Sequence, residues 1–151
     1  MVEKTSEYFA NVIILAHSTF DDVEYTTDAT PERTILQIHG NYGVYKVFIT
    51  ELLSEEIRKY RYYILKKNRV EAGFDNASDP RAIRLKYGKI GSEYAGRYIP
   101  HLHLNDKTTI ELTENMTFFG FIHWMKENVS LSSNPPGRFA RPTIPTSSLP
   151  W

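Results

Sequence analysis

The chain contains no cysteine. Disulfides, thiolate zinc sites and cysteine nucleophiles are therefore excluded. No apolar run approaches the roughly 18 residues that a membrane-spanning helix requires. No Gly-rich phosphate loop, GxSxG elbow or HExxH helix is present, so the common signatures of nucleotide binding, serine hydrolysis and zinc proteolysis are missing. The opening residues, MVEKTSEYFANVIILAHS, place acidic side chains beside their single lysine and offer no small-residue cleavage site, and they do not read as a signal peptide. These absences lead to the expectation of a soluble cytoplasmic protein with no membrane partner.

What the chain does have is enough apolar and aromatic material for one core. Its 151 residues suit a single domain, and 13% of them are aromatic, with ten Tyr and eight Phe. The net charge of zero hides an asymmetry. Residues 1–54 hold three Lys/Arg against eight Asp/Glu, whereas residues 55–107 hold twelve against seven. The basic middle third raises the expectation of an anionic partner such as nucleic acid.

Hydrophobic spacing predicts an α+β fold. The stretch SEYFANVIILAHS carries an approximate i, i+3, i+4 stripe and reads as a helix, with Ser6 or Thr5 as its cap. FDDVEYTTDATPE reads as an acidic, turn-prone connection. Six strands follow: RTILQIHG, VYKVFITELL, IRKYRYYILKK, VEAGFDNAS, IPHLHL and TTIELT. DPRAIRLKYG between the fourth and fifth reads as a short helix with Pro80 in its first turn, Ser78 or Asp79 as cap and Gly88 at its end. ENMTFFGFIHWMKENV reads as a C-terminal helix capped by Thr113 or Asn115. The expected architecture is thus an N-terminal helix, a curved antiparallel sheet of about six strands and a C-terminal helix packed on one face. Residues 1–129 form one domain. The Ser- and Pro-rich stretch 130–151 reads as a tail, disordered or docked on the surface.

One segment invites chemistry. In RYIPHLHLND, His101 and His103 stand two apart on a strand and so share one face, which is expected to line a surface or cleft while Leu102 and Leu104 face the core. Paired imidazoles can serve as general base and general acid near neutral pH, or bind a metal with a carboxylate such as Asp75. A strand face that merely happens to carry histidine is the plain alternative. Asp75 and Asn76, in GFDNAS, equally suit an ordinary turn. Arg61 lies on a strand among tyrosines, where it can hold a phosphate beside stacked bases or simply lie over the sheet. Arg81 and Arg84, neighbours at i, i+3, can grip phosphates or form a solvated helix face.

The order YRYYIL, FDNA, IPHLHL and a final aromatic helix resembles the TumE-like toxin family, small proteins of bacterial and archaeal toxin–antitoxin modules. The likeness spans Thr34 to Asn128. It implies an RNA target and a helix-turn-helix antitoxin as partner, with self-association open. The matching positions are Tyr60, Arg61, Tyr62, Asp75, Asn76, Pro100, His101 and His103. Where the family has a His-rich loop after its D-N-A, this chain has the charged stretch SDPRAIRLKYGKIGSEYAGR. The resulting expectation is a metal-independent ribonuclease with no cofactor. His101, His103, Arg61 and Asp75 are its catalytic residues; Tyr60, Tyr62, Asn76, Arg81 and Arg84 bind substrate. A non-catalytic protein- or nucleic-acid-binding module and a metal-dependent nuclease or phosphodiesterase are the alternatives.

Overall fold

A computed structural model describes residues 2–131; the proposed tail lies almost wholly outside them. Helix α1 spans Val2–Thr19 and buries Phe9, Val12 and Ala16, the i, i+3, i+7 row its sequence offers. Seven strands follow as a continuous antiparallel meander: β1 (Asp21–Ala29), β2 (Arg33–Tyr42), β3 (Tyr45–Ser54), β4 (Arg58–Lys66), β5 (Arg69–Asp75), β6 (His101–Leu104) and β7 (Thr109–Leu112), hydrogen-bonded in that order. Helix α2 (Pro80–Tyr87) and a 3-10 turn (Ser92–Tyr94) lie between β5 and β6, and α3 (Phe118–Asn128) closes the fold.

The seventh strand is β1, which the sequence presents as a connection. Its residues are exposed except for half-buried Val23, so neither face shows the alternation that a half-buried strand would. It is an edge strand carrying Asp21, Asp22, Glu24 and Asp28, charges that discourage pairing with another chain. It pairs β2 with Tyr25 opposite Ile38 and Thr27 opposite Leu36. In β2 to β6 the alternation is plain. Leu36, Ile38, Val47, Ile49, Tyr60, Tyr62, Ile64, Ala72, Phe74, Leu102 and Leu104 all face one side and are buried.

Helices α1 and α3 cover that side. Phe118, Phe121, Ile122, Trp124 and Met125 of α3 join its core, with Phe74 edge-on to Trp124 at 4.9 Å. The cap of α3 is Thr117, whose hydroxyl accepts from the Gly120 N–H at 2.9 Å, in place of Thr113 or Asn115. Helix α2 matches its sequence signals: Asp79 caps it, Pro80 opens it and Gly88 ends it at φ 82°. It packs on the opposite face of the sheet, where Ala82, Ile83 and Ile99 form a second small core with Ile110 of β7.

Three tyrosines tie the helix side together and give a pH signature. Tyr60 is pushed up to about 12 by burial, and burial followed by the Glu51 carboxylate raises both Tyr8 and Tyr62. A raised phenol favours the folded state below the unfolded value near 10, and that contribution is lost as pH rises through the folded value. Spectrophotometric titration should therefore show these phenols ionising together with loss of ellipticity between about pH 10 and 12. Smooth ionisation of all ten tyrosines in a folded protein would contradict this packing.

Candidate functional site

The strand register builds the site. Arg61 of β4 pairs with Asp75 of β5, and Asp75 with His101 of β6. Two residues along, Tyr63 pairs with Gly73, and Gly73 with His103. Residues two apart on a strand share a face. Arg61, Tyr63, Asp75, His101 and His103 therefore stand together on the face opposite α1 and α3.

Their side chains converge. His101 Nε2 lies 3.0 Å from Asp75 Oδ1, His103 Nε2 lies 3.4 Å from Asp75 Oδ2, and the two Nε2 atoms are 3.1 Å apart. The Tyr63 hydroxyl donates to Asp75 Oδ2 at 2.8 Å, and the Ala77 N–H donates to Asp75 Oδ1 at 3.0 Å. His101 Nδ1 is 2.6 Å from the Ile99 carbonyl, which can only accept, so Nδ1 carries the hydrogen. His103 Nδ1 is buried with no hydrogen-bond partner among the described residues.

The electrostatics follow. Burial pushes the Asp75 carboxyl up, but hydrogen bonds from His101, His103 and Tyr63 and the His101 charge outweigh it and hold it well below the usual carboxylate range. Burial pulls His101 down, while its hydrogen bond to Asp75, the Asp75 charge and the Ile99 carbonyl together raise it. The pair thus favours a carboxylate beside a positive charge.

The face expected to line a surface or cleft is covered. His101 is 1%, His103 3% and Asp75 4% exposed. On this face of the sheet Ala82 and Ile83 of α2 pack with Ile99 and with Ile110, the residue paired with His103. The turn reading of Asp75 also holds, since its carboxylate accepts from the N–H two residues on while serving the cluster.

The remaining nominated residues do not join the cluster. Tyr60 and Tyr62 occupy the helix-side core: the Tyr60 hydroxyl accepts from the Met116 N–H and the Tyr62 hydroxyl donates to Glu51. The Asn76 amide bonds the backbone of β4 at Tyr60 N and Arg58 O, extending the sheet beyond Asp75. Arg81 is engaged with Asp79 and the Lys107 carbonyl, and Arg84 is exposed on α2. Arg61 lies at the rim, its guanidinium 5.1 Å from the Tyr63 ring centre. Lys107 meets the same ring at 5.0 Å, presented by the left-handed run Asn105, Asp106, Lys107.

Tyr63 and Gly73 are the site residues that spacing alone does not nominate. Gly73 makes room for the phenol: a Cβ there would sit 2.9 to 3.0 Å from three Tyr63 ring carbons. Gly73→Ala must displace the ring and break its bond to Asp75. The expected loss is about 1–3 kcal/mol of stability, read by urea unfolding; an unchanged midpoint would mean that the ring is not held over this glycine.

No family model matches the chain, and neither a curated protein nor a solved structure matches it significantly.

Proposed function

We propose that this chain cleaves RNA, as the toxin of a toxin–antitoxin module, with Asp75, His101 and His103 as its reaction centre. One juxtaposition supports cleavage. The centre shares Tyr63 with a groove of about 280 Å³ lined by Phe48, Thr50, Arg61, Tyr63, Leu65 and Lys107. The groove floor is largely aromatic and apolar, and both charges at its rim are positive. Phe48 offers a face on which a base can stack, and Arg61 and Lys107 can neutralise a phosphate. The toxin assignment and the helix-turn-helix antitoxin partner rest on the resemblance.

RNA is the substrate this arrangement favours, because its 2′-hydroxyl supplies an internal nucleophile. The 2′-oxygen attacks phosphorus, the 5′-oxygen leaves with a proton, and a 2′,3′-cyclic phosphate remains. Two imidazoles 3.1 Å apart do not bracket a phosphate as a base on one side and an acid on the other. Free of metal, they act with Asp75 as one centre that draws the 2′-proton. The histidines are buried, so this reading requires the chain that covers them to move aside before RNA meets them.

The test uses a labelled single-stranded RNA and the same sequence as DNA. Wild type should cut the RNA to cyclic-phosphate ends and spare the DNA. His101→Gln should slow cleavage by about a hundredfold or more. Phe48→Ala, outside the centre, should weaken binding with little effect on the rate at saturation. RNA that is bound and left intact assigns the groove to binding alone and removes the cleavage reading.

A further inference from the structure

We infer that Asp75, His101 and His103 form a binding site for one divalent first-row transition-metal ion. The inference rests on their geometry and does not depend on RNA being the substrate.

The donor atoms already have the spacing of a coordination sphere. A tetrahedral ion with bonds near 2.0–2.1 Å sets its ligand atoms about 3.3 Å apart. An octahedral ion of similar bond length sets adjacent ligands about 3.0 Å apart. The two imidazole Nε2 atoms are 3.1 Å apart, His101 Nε2 lies 3.0 Å from Asp75 Oδ1 and His103 Nε2 lies 3.4 Å from Asp75 Oδ2. Each histidine thus meets its own carboxylate oxygen, and an ion would sit between the imidazole pair and the carboxylate edge. Among the described residues, this is the group of His, Asp and Glu side chains whose ligand atoms converge closely enough to hold an ion.

The orientation is as telling as the spacing. With its Nδ1–H committed to the Ile99 carbonyl, a neutral His101 turns a lone pair on Nε2 toward a carboxylate oxygen that also only accepts. Two acceptors then face each other across 3.0 Å; a proton on Nε2 or a metal cation between them resolves the conflict, and the ion competes with that proton for the place. An imidazole whose distal nitrogen is anchored on a backbone carbonyl is how metal-ligating histidines are oriented. Asp75 is held in the same way, by the Tyr63 hydroxyl on one oxygen and the Ala77 N–H on the other.

The donor set also selects the ion. Two imidazoles and one carboxylate disfavour magnesium and calcium, which take oxygen ligands, and suit zinc, cobalt or iron. Burial excludes competing water and sharpens the attraction between ion and carboxylate. Three protein donors leave at least one coordination position for a further ligand.

The test is a titration of untagged, chelator-stripped protein with cobalt(II) and, separately, zinc(II). Cobalt should bind with one equivalent per chain and give visible absorption of a nitrogen- and oxygen-ligated ion. Zinc should displace it and raise the melting temperature. His103→Gln should weaken binding by about a hundredfold or more, and Tyr63→Phe, which only loosens Asp75, by about tenfold. A His39→Gln/His123→Gln double variant, altering two exposed histidines away from the centre, should bind as wild type does. Absence of a stoichiometric site in the folded wild type overturns the inference, whatever the variants do. So does binding that follows His39 and His123. RNA cleavage by chelated, metal-free protein that binds no cobalt would overturn the metal site and leave the RNA reading intact. Cobalt binding without RNA cleavage would do the reverse.

Discussion

Asp75→Ala should destabilise the protein by about 3–5 kcal/mol and, on the function proposed above, abolish cleavage of RNA. Asp75 is 4% exposed, and its two oxygens face the Tyr63 hydroxyl, the Ala77 N–H and both histidine Nε2 atoms. An alanine takes the carboxylate partner from a buried hydroxyl, a peptide N–H and the imidazole pair, which keeps only its mutual contact and the Ile99 carbonyl. Each unmet donor costs about 1–3 kcal/mol, and a buried charge without its counter-ion costs more. Asp75→Asn separates fold from chemistry. The amide fills the same volume and can still accept from Ala77, so much of the stability should return. It carries no charge to hold a cation or an imidazolium, so catalysis should not. Urea unfolding of both variants, with cleavage assayed at saturating RNA, checks this. An alanine variant as stable as wild type would show that the carboxylate is not the hub of a bonded cluster, and an active asparagine variant would remove Asp75 from the reaction centre.

The cluster was only half legible in the sequence, for a physical reason. A period of two puts His101 and His103 on one face, and the same period separates Tyr60 and Tyr62 from Arg61 and Tyr63. It does not say which face meets the histidines. That depends on the register of three strands, including a bulge between Ile64 and Leu65. Tyr63, rather than Tyr60 or Tyr62, reaches Asp75 for this reason. Burial of the histidine face was hidden too, because it depends on α2 and the following loop folding back over β6 and β7. The ends of α2 were readable because Asp79, Pro80 and Gly88 each act within one turn. The start of α3 was not, because Thr113, Asn115 and Thr117 all carry a capping side chain and only packing chooses among them. β1 fails every periodicity test because almost none of it is buried.

Glu51 was hidden in plain sight. It continues the row Tyr45, Val47, Ile49 into the core, and a carboxylate on that parity must have partners. It is 0% exposed. Tyr8 of α1 donates to it at 2.8 Å, Tyr62 of β4 at 2.7 Å, and Arg58 Nε lies 3.5 Å away. Arg58 in turn donates to the Met116 carbonyl at 2.8 Å, just before α3. One buried carboxylate therefore joins the first helix, the middle of the sheet and the approach to the last helix. Glu51→Ala takes the counter-ion from a partly buried guanidinium and the acceptor from the half-buried Tyr8 and buried Tyr62 phenols, and should cost about 3–5 kcal/mol, which lowers the melting temperature by roughly 10 °C. If the loss comes from the stranded charge and not from packing, replacing both members of the pair by apolar side chains should recover part of it. Glu51→Leu/Arg58→Met should then be more stable than Glu51→Ala, and a double-mutant cycle measures the coupling. A loss below about 1 kcal/mol for Glu51→Ala would mean that water or a rearranged Arg58 satisfies these groups. Because Glu51 faces away from the histidines, cobalt affinity in the folded variant should stay at the wild-type value. A variant that lost stability and metal binding together would mean that the two faces of the sheet are coupled through β4, whose alternate residues contact both clusters.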